Sequence, residues 1–164
     1  MGGTLATMIT ISTYGAWLRG DVRGWVDNGI TFPPDPLLEQ FDAKRMKHPP
    51  YKFPRHVRYA IAEAIGRSLV RRLALHIYAM CLQSWHSHIV IGATSHLLPR
   101  IIKCAKDAAR WHLRLDRPIW AVGYDKRFCF DEPSVVNRVD YVERHNLADG
   151  LPRKPWGFIE ELSF

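Results

Sequence analysis

Cysteine is scarce in this chain of 164 residues: Cys81, Cys104 and Cys129 are odd in number, widely spaced and never part of a paired Cys motif. That argues against a disulfide framework or a cysteine-built zinc site, and it predicts reduced, buried thiols in a reducing compartment. Long apolar runs are missing too, and none approaches the roughly 20 residues of a membrane span. Met1-Gly2-Gly3-Thr4 has no basic region ahead of a long apolar stretch, so the expectation is a cytoplasmic protein with no membrane partner. No Gly-rich phosphate loop of the P-loop kind occurs, so nothing points to a nucleotide cofactor. Acidic residues are the minority, 16 against 23 Lys and Arg, and the resulting +7 charge points to a polyanionic partner.

What remains is an ordinary globular composition, 47% hydrophobic, enough for one domain over residues 1–164 with a real core. Ala6 to Tyr14, with Ile9 and Ile11 alternating with hydroxyl residues, predicts a first strand. Residues 15–54 read as a loop-rich insertion, because glycines and the pairs Pro33-Pro34 and Pro49-Pro50 interrupt any long element, though Asp35 to Met46 fits a short helix. Arg55 to Leu73 places Val57, Ile61, Ile65, Leu69 and Leu73 at near four-residue spacing, an amphipathic helix. Leu75 to Gln83 and His86 to Gly92 read as strands joined by a tight turn at Ser84-Trp85. A helix follows from Leu97 to Leu115. Ile119 to Val122 is the expected fourth strand, with Arg127 to Phe130 a short extra one. The last helix starts at Asp131 as N-cap, with Pro133 in its first turn, and leads into a tail from about 150 to 164. This order predicts an α+β ferredoxin-like sandwich: an antiparallel sheet, two helices on one face and an additional C-terminal helix.

Chemistry concentrates in two places. His86 and His88 alternate on one strand, so both imidazoles leave the same sheet face and can hold one metal ion. Tyr141 and His145 stand at i and i+4, neighbours on one helix face. Together they form a candidate metal-assisted nucleophilic site. Imidazoles suit a divalent transition metal, and with phosphate and water oxygens completing the shell Mg2+ or Mn2+ fits. Asn146 is the alternative third ligand, and Tyr124 the next candidate nucleophile. A cationic stripe of Arg100, Lys103, Lys106, Arg110 and Arg114 recurs at steps of three or four along the helix after the histidine strand, opposite Ile101, Ile102, Ala105, Ala109 and Leu113. Such rows hold phosphate backbones, so Arg100, Lys103, Lys106 and Arg110 are candidate DNA contacts. Trp25, Trp85 and Trp111 read as core or rim, with stacking on an unpaired base the functional option.

The His86-Ser87-His88 strand followed by a helix bearing Tyr141-Val142-Glu143 resembles the single-tyrosine HUH transposases, the insertion-sequence and REP-associated tyrosine transposases of prokaryotes. Thr13-Tyr14-Gly15-Ala16-Trp17-Leu18, Gly24-Trp25-Val26-Asp27 and Trp120-Ala121-Val122-Gly123 extend the likeness to most of the chain. Trp85 stands where the family usually has asparagine, and Ser87 replaces an apolar residue. The resemblance implies a DNA transposase, a metal-dependent single-stranded DNA endonuclease and transesterase. In that reading His86, His88 and His145 position the metal, and Tyr141 attacks to leave a 5′-phosphotyrosine and a free 3′ hydroxyl. The implied partner is single-stranded or hairpin DNA, with monomer and homodimer both open. A rival class is a domesticated, catalytically weakened transposase that only binds single-stranded or hairpin nucleic acid. A phosphoesterase with two His-x-Ser/Thr motifs ranks last, since the chain has one.

Overall fold

A computed structural model gives the structure of the protein over residues 2–164. The alternating Thr and Ile run forms the central strand β1 (Ala6–Ser12). The insertion holds a hairpin, β2 (Trp25–Asp27) and β3 (Ile30–Phe32), and the helix α1 (Pro36–Arg45), whose N-cap Asp35 accepts from the Leu38 N–H. Next come α2 (Arg55–Leu73), β4 (Ile77–Leu82), β5 (His86–Gly92), α3 (Leu98–Leu113), β6 (Asp125–Cys129) and α4 (Glu132–Ala148). The main sheet is antiparallel in the order β4-β5-β1-β6, the ferredoxin-like arrangement.

Strand alternation divides the core in two. Ile9, Ile11, Met80, Ile89 and Ile91 face α2 and α3, where they meet Ile61, Ile65, Leu69, Ile101 and Ala105. Met8, Ala79, Cys81 and Val90 face the other way, against Val135, Val139 and Val142 of α4. The last helix therefore covers part of the face opposite the helix pair, the side to which β5 turns its histidines. Ser87 points to the α2/α3 side and would cost on the order of a kcal/mol as an unpaired buried hydroxyl. It donates instead to the Cys81 carbonyl at 2.8 Å. All three thiols are free and buried.

Two local readings are corrected. The fourth strand of the sheet is Asp125–Cys129, whereas Ile119 to Val122 makes only an isolated bridge between Trp120 and Thr13. Ile119 and Trp120 are apolar because they are buried in the α2/α3 core, while β6 is an edge strand whose first four residues are exposed and carry no strong alternation. The second correction is the β2–β3 hairpin inside the expected loop. Its turn is Asn28-Gly29, both at positive φ (48° and 78°), the pair that a two-residue hairpin favours.

The tail is packed. Trp156 is buried, Phe158 lies over Gly66 of α2, and Ile159 bridges Ile77 with the Glu160 N–H donating to the Ile77 carbonyl at 2.8 Å. The outer edge of β4 is thereby partly covered.

Candidate functional site

The site is assembled by three elements that lie far apart in sequence. Antiparallel pairing sets Thr10 opposite His88 and Ser12 opposite His86, so β1 supplies hydroxyls beside both imidazoles. Thr10 Oγ1 lies 2.7 Å from His88 Nδ1. With the proton on Nδ1, that bond fixes the ring and leaves the Nε2 lone pair free. From above, α4 brings Tyr141 and His145 down one face, one helical turn apart. The His145 ring centroid lies 5.1 Å from that of His88 and 5.5 Å from that of His86, and the two strand imidazoles are 4.5 Å apart. Tyr141 completes the group, 5.4 Å from His88 and 5.0 Å from His145 by ring centroids, and it is 44% exposed to solvent.

One potential ligand atom from each of His86, His88 and His145 lies within 4.8 Å of the others. Among the described residues, Nδ1 of His86 and Nε2 of His145 are buried without a hydrogen-bond partner. A buried polar nitrogen left unpaired costs about 1–3 kcal/mol, and two in one cluster are lone pairs that a bound cation would satisfy. These two imidazoles and that of His88 fit a divalent cation. Asn146, the alternative ligand, is turned away: its amide donates to the carbonyls of Met80 at 2.9 Å and Arg153 at 3.0 Å, which ties α4 to β4 and the tail. Glu143 is likewise occupied, by Arg153 at 3.0 Å and Lys154 at 2.9 Å.

Burial keeps the imidazoles neutral. Desolvation, aided by repulsion from His145 were both rings protonated, lowers His86 to about 4, and desolvation with the neighbouring His86 and His145 lowers His88 to about 3. His145 is lowered by desolvation as well. Neutral imidazole is the metal-binding form, so the set is ready well below neutrality. A folding consequence follows. In the unfolded chain these histidines take up protons near pH 6.5, while in the native state they resist until about 4 and about 3. Their depressed values leave stability untouched above pH 6.5 and erode it below, by about 1.4 kcal/mol per pH unit for each. Urea unfolding of chelator-treated protein is expected to give midpoints that fall steadily between pH 6.5 and 5. Equal midpoints at pH 7.5 and pH 5 would mean that the imidazoles are solvated or charged in the native state.

The triad and Tyr141 lie in a cleft of about 790 Å³, walled by Trp17, Trp25 and Trp85 from the insertion and the β4–β5 turn, and by Arg127 and Arg138. Of the last two, only Arg138 carries a local signal in the sequence. Arg138 precedes Tyr141 by three residues, a spacing that places both on one helix face, while Arg127 and Thr10 enter only through strand pairing.

The cationic stripe is elsewhere. α3 packs on the opposite face of the sheet, and Lys103, Lys106 and Arg110 line a separate cavity of about 830 Å³ together with Tyr124. Lys103 pairs with Asp107 at 2.6 Å. Lys106 is partly buried, and its ammonium donates to the carbonyls of Ala121 at 2.8 Å and Gly123 at 2.9 Å, a staple for the segment before β6. Arg100 and Arg110 are exposed, with Arg100 beside Arg72 and Trp111.

Among the described residues no helix is long and apolar enough to cross a membrane. No family model matches the chain, nor does any curated protein. A transposase candidate from Deinococcus radiodurans R1 aligns over 88% of this chain and 93% of its own at 17% identity, with a TM-score of 0.42. A REP-associated tyrosine transposase, solved bound to a REP hairpin, aligns over 96% of this chain and 76% of its own at 12% identity, with a TM-score of 0.55. By that superposition, the chain has the fold of a REP-associated tyrosine transposase.

Proposed function

We propose that the protein is a DNA transposase that nicks and rejoins single-stranded DNA by metal-assisted tyrosine transesterification. The observation that carries the reading is the placement of an exposed phenol, Tyr141, about 5 Å from two members of an imidazole triad in which His86 and His88 are buried, His145 is half-buried, and one nitrogen each of His86 and His145 has no partner. The fold's occurrence in a transposase bound to a REP hairpin supports a single-stranded or hairpin DNA substrate here.

In this reading His86, His88 and His145 would hold a divalent ion, and that ion would supply charge withdrawal from the scissile phosphate. Three imidazoles favour Mn2+ over Mg2+, since nitrogen ligands suit the softer ion. Tyr141 Oη attacks phosphorus and its proton passes to water, which reaches the half-exposed ring. The bond from phosphorus to the 3′ oxygen breaks, and that oxygen takes a proton from water to leave as a hydroxyl. The 5′ side stays on the protein as a phosphotyrosine ester. The ester conserves the energy of the broken bond, so a 3′ hydroxyl can reverse the step without a nucleotide cofactor. Arg138, in the same cleft and on the same helix face as Tyr141, is placed to pair with a phosphate oxygen. The test is to incubate the protein and Mn2+ with end-labelled single strands from the flanks of its own gene. A denaturation-resistant protein–DNA adduct is expected, and the absence of both adduct and nick would leave only a binder.

The α3 cations are proposed as a second, sequence-independent anchor, with Arg100, Lys103 and Arg110 engaging phosphates of the same DNA. Replacing the three with alanine is expected to weaken binding to all sequences alike and to flatten the log-log salt dependence by about 0.7 for each single-strand phosphate no longer neutralised. An unchanged slope in fluorescence anisotropy would make this face merely solvated. Lys106→Ala is expected to act differently, lowering stability by about 1.5–3 kcal/mol because its two charged hydrogen bonds disappear.

A further inference from the structure

The wall of the cleft beside the imidazoles is built from indoles, and their arrangement has no role in holding a metal or presenting a phenol. Trp85 stands in the β4–β5 turn with its ring centroid 4.1 Å from that of His86, and Trp17 adds a second ring 5.9 Å from it, tilted by 55°. Trp17 is 45% exposed yet rigidly mounted. Its one polar atom, Nε1, donates to the Gly24 carbonyl at 2.7 Å, and the Arg23 guanidinium carbon stands 3.8 Å over its ring and 5.3 Å from that of Trp85. Arg23 is in turn locked. Asp21, only 6% exposed, receives its Nε at 2.7 Å and Nη2 at 2.6 Å, and a further Nη2 bond reaches the Ala16 carbonyl at 2.9 Å. Across the hairpin, Trp25 is stacked on Phe32 at 4.5 Å with its own Nε1 committed to the Pro33 carbonyl at 3.0 Å.

A mount of this kind keeps flat aromatic surface in water at fixed orientation, beside cations that suit a phosphate backbone. Because the indole donor of Trp17 is spent on a backbone carbonyl, that ring has no donor left to read a base edge. Stacking accepts any base, since every base has a π face. We propose that Trp17 and Trp85, clamped by the Asp21–Arg23 pair, form a stacking platform for unpaired bases flanking the phosphate held at the imidazole triad. The platform binds single-stranded nucleotides without sequence preference, and pairing within a duplex withdraws the bases from it. This rests on the transposase reading for the location of the scissile phosphate and adds to it the site that holds the neighbouring bases.

The test uses full-length Tyr141→Phe protein without divalent metal, so that binding is read in the absence of cleavage. The probes are a fluorescein-labelled mixed-sequence 12-mer, its abasic counterpart with the same phosphates, and the corresponding duplex. The parent protein is expected to bind the 12-mer about tenfold more tightly than the abasic strand, within the range that one or two stacked bases supply. Trp17→Ala is expected to erase that difference while leaving the abasic affinity alone, and Trp17→Phe to restore most of it. Quenching of tryptophan emission by the 12-mer but not by the abasic strand, measured on the parent, gives the same answer should Trp17→Ala misfold. Equal affinity of the parent for both strands, or equal loss on both with Trp17→Ala, would overturn the platform. Adduct formation by protein with Tyr141 intact is scored separately. An adduct without base-dependent binding removes only the platform, whereas base-dependent binding without an adduct removes the cleavage reading.

Discussion

Tyr141→Phe is expected to abolish both nicking and the covalent adduct while leaving fold and DNA affinity in place. The substitution removes a single oxygen from a residue that is 44% exposed, so its effect on stability is expected to stay within about 0.5 kcal/mol. The ring itself remains against His88 and His145. If the phenol is the nucleophile, nothing nearby replaces it, and the cleavage rate is expected to fall on the order of 10⁴-fold or more, as when a covalent nucleophile is deleted elsewhere. Denaturing gels with end-labelled single strands read adduct and nick together, and anisotropy reads binding. An adduct that survives in the mutant would move the nucleophile elsewhere. The sequence names Tyr124 as the next candidate, but it lines the α3 cavity and not the imidazole cleft, so a surviving adduct would also displace the whole site.

The second large effect is expected at the imidazoles. His86→Ala or His88→Ala is expected to weaken Mn2+ binding at least about 100-fold in a calorimetric titration, beyond what removal of an outer partner alone produces, and to shift the metal dependence of nicking accordingly. Thr10→Val is expected to give a smaller loss through the freed His88 ring, with Thr10→Ser retaining the bond. In metal-free protein the His86→Ala change also removes a buried nitrogen that has no partner, so part of the packing cost is offset. Unaltered metal affinity in both histidine mutants would make the pair structural and sink the proposed chemistry. His145→Ala distinguishes a three-imidazole site from a strand-only one.

Much of this site was legible in the sequence because each half of it is local. Alternation on β5 puts His86 and His88 on one face whatever the rest of the chain does, and helical spacing does the same for Tyr141 and His145. The Asn28-Gly29 turn is equally local, but the surrounding Gly and Pro residues mask two strands of three residues each. The fourth strand is hidden in the sequence for a different reason. Apolar Ile119 and Trp120 mark burial, not sheet membership, and an exposed edge strand such as β6 need not be apolar at all.

The cationic stripe on α3 shows how far periodicity reaches. Its amphipathicity is real, with Ile101, Ile102, Ala105 and Ala109 buried, but the pattern says only which side faces the core. It cannot say which face of the sheet that core lies on. Sequence alone determined the elements with strong periods, the pairing of His86 with His88 and of Tyr141 with His145 on one face of each element, and the net charge of +7, because these depend on composition and on neighbours a few residues apart. Tertiary structure decided that α4 crosses the sheet face opposite α2 and α3, that Thr10 meets His88, that Asn146 is consumed by Met80 and Arg153, and that Trp17, Arg23 and Trp85 border the imidazoles. Those outcomes depend on strand order and register, which are set by how the whole chain buries its two apolar faces at once, and no short window of residues contains that information.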